Sequence, residues 1–126
     1  MKIVVTDEKD SRYVEFCRSF NCKIDDPQIV LLLLNDVKTI GCTSFKVYDI
    51  DSIEIMTLFV DLNRDFEKIS YDLIKQLEKI AMDLDFKTSY VFLDEDDLLF
   101  RIFEKLDYRL VNDGKMGMKK DFRSLV

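Results

Sequence analysis

Residues 59–81 read FVDLNRDFEKISYDLIKQLEKIA. The stretch begins as the end of a strand, turns, and runs into an amphipathic helix. Ile69, Leu73, Leu77, Ile80, Ala81 and Leu84 recur at spacings of three and four, while Lys68, Asp72, Lys75, Gln76, Lys79 and Asp83 fall largely elsewhere. This spacing predicts a helix from Phe66 or Glu67 to Leu84. A junction of this kind favours anions, because the first N–H groups of a helix have no internal partner and the helix dipole is positive there. Glycine usually lets a backbone approach a phosphate closely. Here Asp65, Phe66, Glu67 and Lys68 occupy the junction instead.

Outward from that stretch the chain alternates strand and helix patterns. KIVVT, near the N-terminus, reads as a short strand, and Tyr13, Phe16, Cys17 and Phe20 fall at helical spacing over residues 11–20. KIDDPQ is a break, since proline disfavours helix in the residue before it. QIVLLLL reads as a strand buried on both faces. KTIGCTSFKVYD and SIEIMTLFVD complete an antiparallel meander. After the long helix, KTSYVFL is a strand that the crossover places parallel to a neighbour. Asp94 is the expected cap of a last helix, with Leu98, Leu99, Ile102, Phe103 and Leu106 on its apolar side. YRLV and KMGMKK close as a hairpin around Asn112, Asp113 and Gly114. The order is β-α-β-β-β-α-β-α-β-β, an α/β fold with helices on both faces of a mixed central sheet.

Composition narrows the chemistry. The chain has 126 residues, a length typical of a single domain, and 19 Lys+Arg against 25 Asp+Glu, for a net charge of −6. That balance disfavours nonspecific nucleic-acid binding, which relies on phosphate neutralisation. There is no stretch of membrane-spanning length, and the N-terminal apolar run is too short for a signal peptide. The three cysteines, Cys17, Cys22 and Cys42, lack metal-site spacing and read as reduced thiols in a cytoplasmic setting. With no histidine, proton transfer falls to carboxylates, Tyr, Lys, Cys or water. The acidic run DEDD at 94–97 reads as the opening of a helix rather than a metal site.

NDVKTIGCTSF, EIMTLFVD, LIKQLEKIAMDLDFKTSYVFL and FEKLDYRLVNDGKMGMKK, in that order, resemble the GNAT superfamily of acyl-CoA-dependent N-acetyltransferases over residues 29–122. The resemblance implies a GNAT-like domain over 1–126 with a shortened N-terminal helical region. It implies acetyl-CoA as cofactor, weakly bound, and a small-molecule or protein amine as acceptor. Homodimer assembly is a further expectation, with no nucleic acid and no membrane among the partners. Backbone groups of Leu58, Phe59 and Val60 would hold the pantetheine arm, and the start of the helix, Phe66, Glu67, Lys68, Ile69 and Ser70, would wrap the pyrophosphate. Asp96 falls where the family often has an Asn opening the last helix. Glu54 matches a strand carboxylate that some members use to deprotonate the amine. An outward-facing polar residue on an alternating strand is the plainer reading of Glu54.

Several positions depart from the family pattern. Asp65 stands at its Arg/Gln and Lys68 at its first loop glycine. Leu99 replaces a small Ala, Phe103 the Tyr assigned as general acid, and Asp107 a glycine. Two readings follow. One is an acyl-CoA-dependent N-acyltransferase with a degenerate cofactor loop. The other is a GNAT-fold pseudoenzyme, a binding or regulatory module without catalysis.

Overall fold

The computed structural model describes residues 1–122 apart from Lys23, Asp25, 94–96 and 113–115. The expected cap Asp94, the site residue Asp96 and the tip of the last hairpin lie outside the described residues. The elements are β1 (Lys2–Asp7), α1 (Ser11–Arg18), β2 (Ile29–Asn35), β3 (Lys38–Asp49), β4 (Ser52–Val60), α2 (Phe66–Asp83), β5 (Thr88–Phe92), α3 (Asp97–Lys105), β6 (Arg109–Asn112) and β7 (Met116–Asp121). They form a seven-stranded sheet in the order β1-β2-β3-β4-β5-β7-β6. Among the described residues only β4 and β5 pair in parallel, and α2 is the crossover between them. The expected order of elements and the antiparallel meander are both present.

Helices cover both faces. The apolar run of β2 serves two cores because alternate side chains point opposite ways. Val30, Leu32 and Leu34 join Tyr13 and Cys17 of α1 and Cys42 of β3 on one face. Leu31 and Leu33 join the main core of α2 and α3 on the other, with Leu73, Ile74, Leu77, Ile102 and Phe103. Gly41 lets α2 lie close to the sheet. A Cβ there would stand 3.2 Å from Ile69 Cγ2 and 3.2 Å from Leu73 Cδ1, tighter than ordinary contact.

Local chemistry fixes the helix ends. The Asp10 carboxylate accepts the Arg12 N–H at 2.9 Å and opens α1. The Arg12 side chain, which donates to the same carboxyl group, holds that carboxyl well below the usual carboxylate range. The three described helices close through a left-handed residue that is not glycine: Asn21 (φ 55°), Asp85 (φ 68°) and Asp107 (φ 71°). The next N–H then returns to a carbonyl five residues back, as in Cys22 to Cys17, Phe86 to Ala81 and Tyr108 to Phe103. Asn and Asp tolerate this conformation better than other side chains.

Three expectations require correction. Helix α1 ends at Arg18, so Phe20 lies in the following turn, where its ring stacks on Phe59 with centroids 4.7 Å apart. Leu84 is 52 % exposed, because α2 has ended and turned at that point. Leu98 is 45 % exposed on the rim of a surface cavity instead of lying in the core. No described helix is long and apolar enough to cross a membrane.

Candidate functional site

The site is built where β4 outruns β5. Their pairing spans Ser52–Thr88 to Ile55–Val91, whereas β4 continues along β3 until Val60 meets Gly41. A bulge marks the parting: Ser44 pairs with Thr57 and Phe45 with Ile55, leaving Met56 as the extra residue. Bulges bend a strand and increase its twist. The phase of burial slips accordingly. Ile53 and Ile55 precede the bulge in the main core, and Leu58 and Val60 follow it there.

A buried polar cluster pins this bend. The Tyr13 hydroxyl donates to Gln28 Oε1 at 2.7 Å. It also lies 3.0 Å from Ser44 Oγ and 3.1 Å from Thr57 Oγ1, which are themselves 2.6 Å apart. Thr43 Oγ1 donates to the Thr57 carbonyl at 2.7 Å. Burial pushes the Tyr13 phenol well above its ordinary pKa, so it remains a donor. Tyr13 reads from sequence only as one of a helix's apolar residues, and nothing local reveals its long-range partners.

Past the parting lies an apolar cavity of about 260 Å³, lined among others by Met56, Leu58, Val91, Leu93, Leu99 and Phe103. A second, of about 370 Å³, is lined by Phe20, Phe59, Val60, Phe66, Leu98 and Leu99 among others. Leu58, Phe59 and Leu99 are common to both. Leu58 and Val60 bury their side chains, so what they can offer a ligand is backbone. Phe103 is 1 % exposed and meets the Tyr108 ring edge-on at 5.0 Å. It is a core residue that walls the cavity and has no proton to give.

The start of α2 has its own anion. Asp65 is the N-cap, and its Oδ1 accepts the Lys68 N–H at 3.2 Å. Glu67 adds a second carboxylate in the first turn and pairs at 3.4 Å with Lys105 of α3. Asp65, Glu67, Lys68, Tyr71, Ile102 and Lys105 line a recess of about 290 Å³. Phe66 packs against the main core. Ile69 and Ser70 are buried, and Ser70 Oγ has no hydrogen-bond partner among the described residues. The Ile69 N–H already donates to the Asp65 carbonyl at 3.1 Å, and Ser70 follows it inside the helix, so the expectation that these two residues contact the pyrophosphate is corrected: neither offers a free amide. In the turn before α2, Asp61 Oδ1 accepts the Asn63 N–H at 3.0 Å, which holds its carboxyl below the usual range, with Lys38 at 3.6 Å assisting.

Glu54 lies on the opposite face of the sheet from α2 and α3. It is half-buried and stands between Lys46 of β3 and Tyr90 of β5. Lys46 is bonded to Asp26 at 3.1 Å, and that contact, with a smaller contribution from Glu54, raises the lysine pKa. Glu54 and the cavity-lining Leu58 are thus brought to one strand, β4, but to its two faces. Sequence reading also missed the buried Glu78, which accepts from Lys120 at 3.0 Å. A Glu four residues after Ile74, on the buried side of α2, was the available signal.

No protein-family model and no curated protein matches the sequence. Solved structures do. Aminoglycoside 6'-acetyltransferase type Ii superposes with a TM-score of 0.80 at 19 % identity, over 98 % of this chain and 99 % of that one. The aminoglycoside 6'-N-acetyltransferase from Enterococcus faecium gives 0.76 at 17 % identity, over 98 % of each chain. A GNAT family acetyltransferase from Elizabethkingia anophelis with acetyl-CoA bound gives 0.71 at 11 % identity, over 95 % of this chain and 98 % of that one. The diverging parallel pair, the bulged β4 and these superpositions over nearly the whole chain establish that the protein has the GNAT acetyltransferase fold.

Proposed function

We propose that the chain binds an acyl-CoA in the cleft between β4 and β5 and transfers the acyl group to an amine. The observation that carries this reading is the end of β4–β5 pairing at Ile55–Val91 beside an apolar cavity of about 260 Å³. From Met56 onward the edge of β4 turned to β5 has no strand partner in the described sheet. Such an edge offers N–H and C=O groups to an extended, amide-containing arm, as an added strand would use them. The fit is uneven. Leu58, Phe59 and Val60 supply backbone for the arm and for polarising a carbonyl, and Leu99 and Phe103 supply its apolar wall. The first-turn amides of Phe66, Glu67 and Lys68 are those left for the pyrophosphate end, where Asp65 competes with it.

An acyl-CoA supplies an activated acyl group. The amine gives up a proton to Glu54 through water and forms the new C–N bond. The C–S bond breaks with its electron pair on sulfur, and the thiolate is protonated by solvent, since Phe103 cannot serve. The three free thiols, Cys17, Cys22 and Cys42, fit a reducing, cytoplasmic setting.

The Asp65 cap favours a second reading, in which the fold survives as a binding or regulatory module without turnover. Calorimetry with CoA and acetyl-CoA, followed by thiol release with a panel of amines, separates the two. The first reading expects weak CoA binding that is abolished by Leu99→Trp, which fills the cavity. If wild type and Leu99→Trp behave alike toward CoA, the cleft is not an acyl-CoA site.

A further inference from the structure

The α1 face of the sheet carries a cross-strand row of which the acyl-transfer reading uses only Glu54. Register places Lys46, Glu54, Tyr90, Lys119 and Arg109 opposite one another across β3, β4, β5, β7 and β6. Their sequence neighbours Phe45, Ile53, Ile55, Val91 and Met118 lie in the main core, so the row faces the other way. Among the described helices only α1 lies on this face, and the cluster it forms is centred on β2 and β3.

The middle of the row is aromatic. Tyr48 lies with its ring 4.7 Å from Tyr90 and 5.9 Å from Phe92, and the Tyr90 and Phe92 rings are parallel within 2° at 6.2 Å. Phe92 also lines the 260 Å³ cavity, which connects this surface to the end of the cleft. Glu54 and Lys46, the latter paired with Asp26 at 3.1 Å, stand on one side of Tyr90, and Lys119 and Arg109 stand on the β7 and β6 side. No carboxylate among the described residues forms an ion pair with Lys119 or Arg109. Both line a concave surface of about 530 Å³ shared with Asp107, Lys120 and Asp121. Asp121 accepts from Thr88 Oγ1 at 2.9 Å, and Lys120 is taken by Glu78. Two cations directly opposite each other on adjacent strands repel, and an anion seated between them removes that cost.

We propose that the acceptor is a zwitterionic, peptide-like amine, with its ammonium at Glu54, its body on Tyr48, Tyr90 and Phe92, and its acid group at Lys119 and Arg109. The proposal rests on the acyl-transfer reading for its chemistry but not for its binding. Two strand spacings separate Glu54 from Lys119, about 10 Å, which matches roughly three residues of extended chain. A polycation such as an aminoglycoside would meet Lys46, Lys119 and Arg109 along a row whose one carboxylate is Glu54, with Asp26, Asp107 and Asp121 at its margins.

The test is calorimetry without CoA, using the tripeptide Gly-Phe-Gly, its C-terminal amide, and kanamycin. The free acid is expected to bind about fivefold more tightly than the amide, the gain available from charge contacts at an exposed site. Lys119→Ala with Arg109→Ala, both exposed, is expected to erase that difference and leave the amide unchanged, while Tyr90→Ala weakens both peptides. Equal affinity of acid and amide, no peptide binding, or tighter binding of kanamycin overturns the proposal. Thiol release from acetyl-CoA is measured separately. Peptide binding without any release defeats the acyl-transfer reading and leaves the binding proposal standing. Release with kanamycin but not with the peptide keeps the acyl-transfer reading and defeats the zwitterion.

Discussion

On the proposed acyl-CoA reading, Asp65 is the residue at which stability and ligand binding conflict, and two substitutions separate them. Its Oδ1 accepts the Lys68 N–H at 3.2 Å, so a phosphate oxygen taking that N–H would sit close to the carboxylate. At about 4 Å, unit charges interact by roughly 1 kcal/mol in a water-like dielectric, or about 2 kcal/mol against a doubly charged pyrophosphate. Asp65 is exposed, and screening at physiological salt reduces this to about 1 kcal/mol, roughly fivefold in affinity. Asp65→Asn keeps a good cap and removes only the charge. It is therefore expected to tighten CoA binding about fivefold with little change in melting temperature. Asp65→Arg moves two charge units and is expected to gain about 2 kcal/mol in binding, while losing about 1 kcal/mol of stability with the cap. Calorimetry with CoA and with dephospho-CoA, beside a thermal melt, reads both quantities. If Asp65→Asn keeps its stability and binds CoA no better than wild type, the start of α2 does not face the pyrophosphate and the reasoning fails.

Tyr13→Phe leaves the buried Gln28 Oε1 without its donor while Ser44 and Thr57 keep each other; a loss of about 1–3 kcal/mol in urea unfolding is expected. Lys120→Met strands the Glu78 carboxylate, with only Lys75 at 4.0 Å, and is expected to cost about 3 kcal/mol. The double variant Glu78→Leu, Lys120→Met is expected to recover to within about 1 kcal/mol of wild type in the same assay. Burial, with Glu78 nearby, raises the Tyr108 pKa, so the folded chain keeps a proton that the unfolded chain releases from about pH 10. Stability contributed by Tyr108 is accordingly full below about pH 10 and declines as pH rises beyond it, and Tyr108→Phe is expected to flatten that limb of the melting profile.

The strands and helices were legible because their apolar periods are unmixed. The continuous run in β2 predicts burial on both faces, and Val30, Leu32 and Leu34 do pack against α1 while Leu31 and Leu33 pack beneath α2. The β4 bulge was also available to a reader who tracked parity. The core residues shift from Ile53 and Ile55 to Leu58 and Val60, which cannot share a face of a regular strand. What could not be read was whatever depends on partners distant in the chain. Tyr13 reaches Gln28, Ser44 and Thr57 only once the sheet exists. Glu78 on α2 looks like an error in an apolar stripe until β7 brings Lys120 to it. Leu84 and Leu98 obey the helical period yet lie at helix ends, where the period no longer reports what is buried.

The cofactor loop shows why a departure from a pattern is easier to see than to interpret. On sequence alone, Asp65 and Lys68 read as obstacles, a wrong charge and an added side chain. In the structure they are partners: the carboxylate of one caps the amide of the other. Every unpaired N–H at a helix start must find an acceptor. A glycine loop leaves those groups for a ligand, and Asp65 gives one of them, the Lys68 N–H, to the chain. The cap contributes about 1 kcal/mol to the fold whether or not a ligand is present. A bound anion contributes only in proportion to its concentration over its dissociation constant. A chain seldom exposed to saturating acyl-CoA therefore gains more from Asp65 than from glycine. The same exchange leaves the β4–β5 cleft untouched, since its offer is backbone and apolar wall rather than charge. If the proposed acyl-CoA site is right, weak binding through the pantetheine arm, with little contribution from the pyrophosphate, is the expected outcome. Shortening the ligand locates the affinity: if CoA binds far more tightly than pantetheine to the unaltered chain, the N–H groups of α2 remain available and Asp65 yields them.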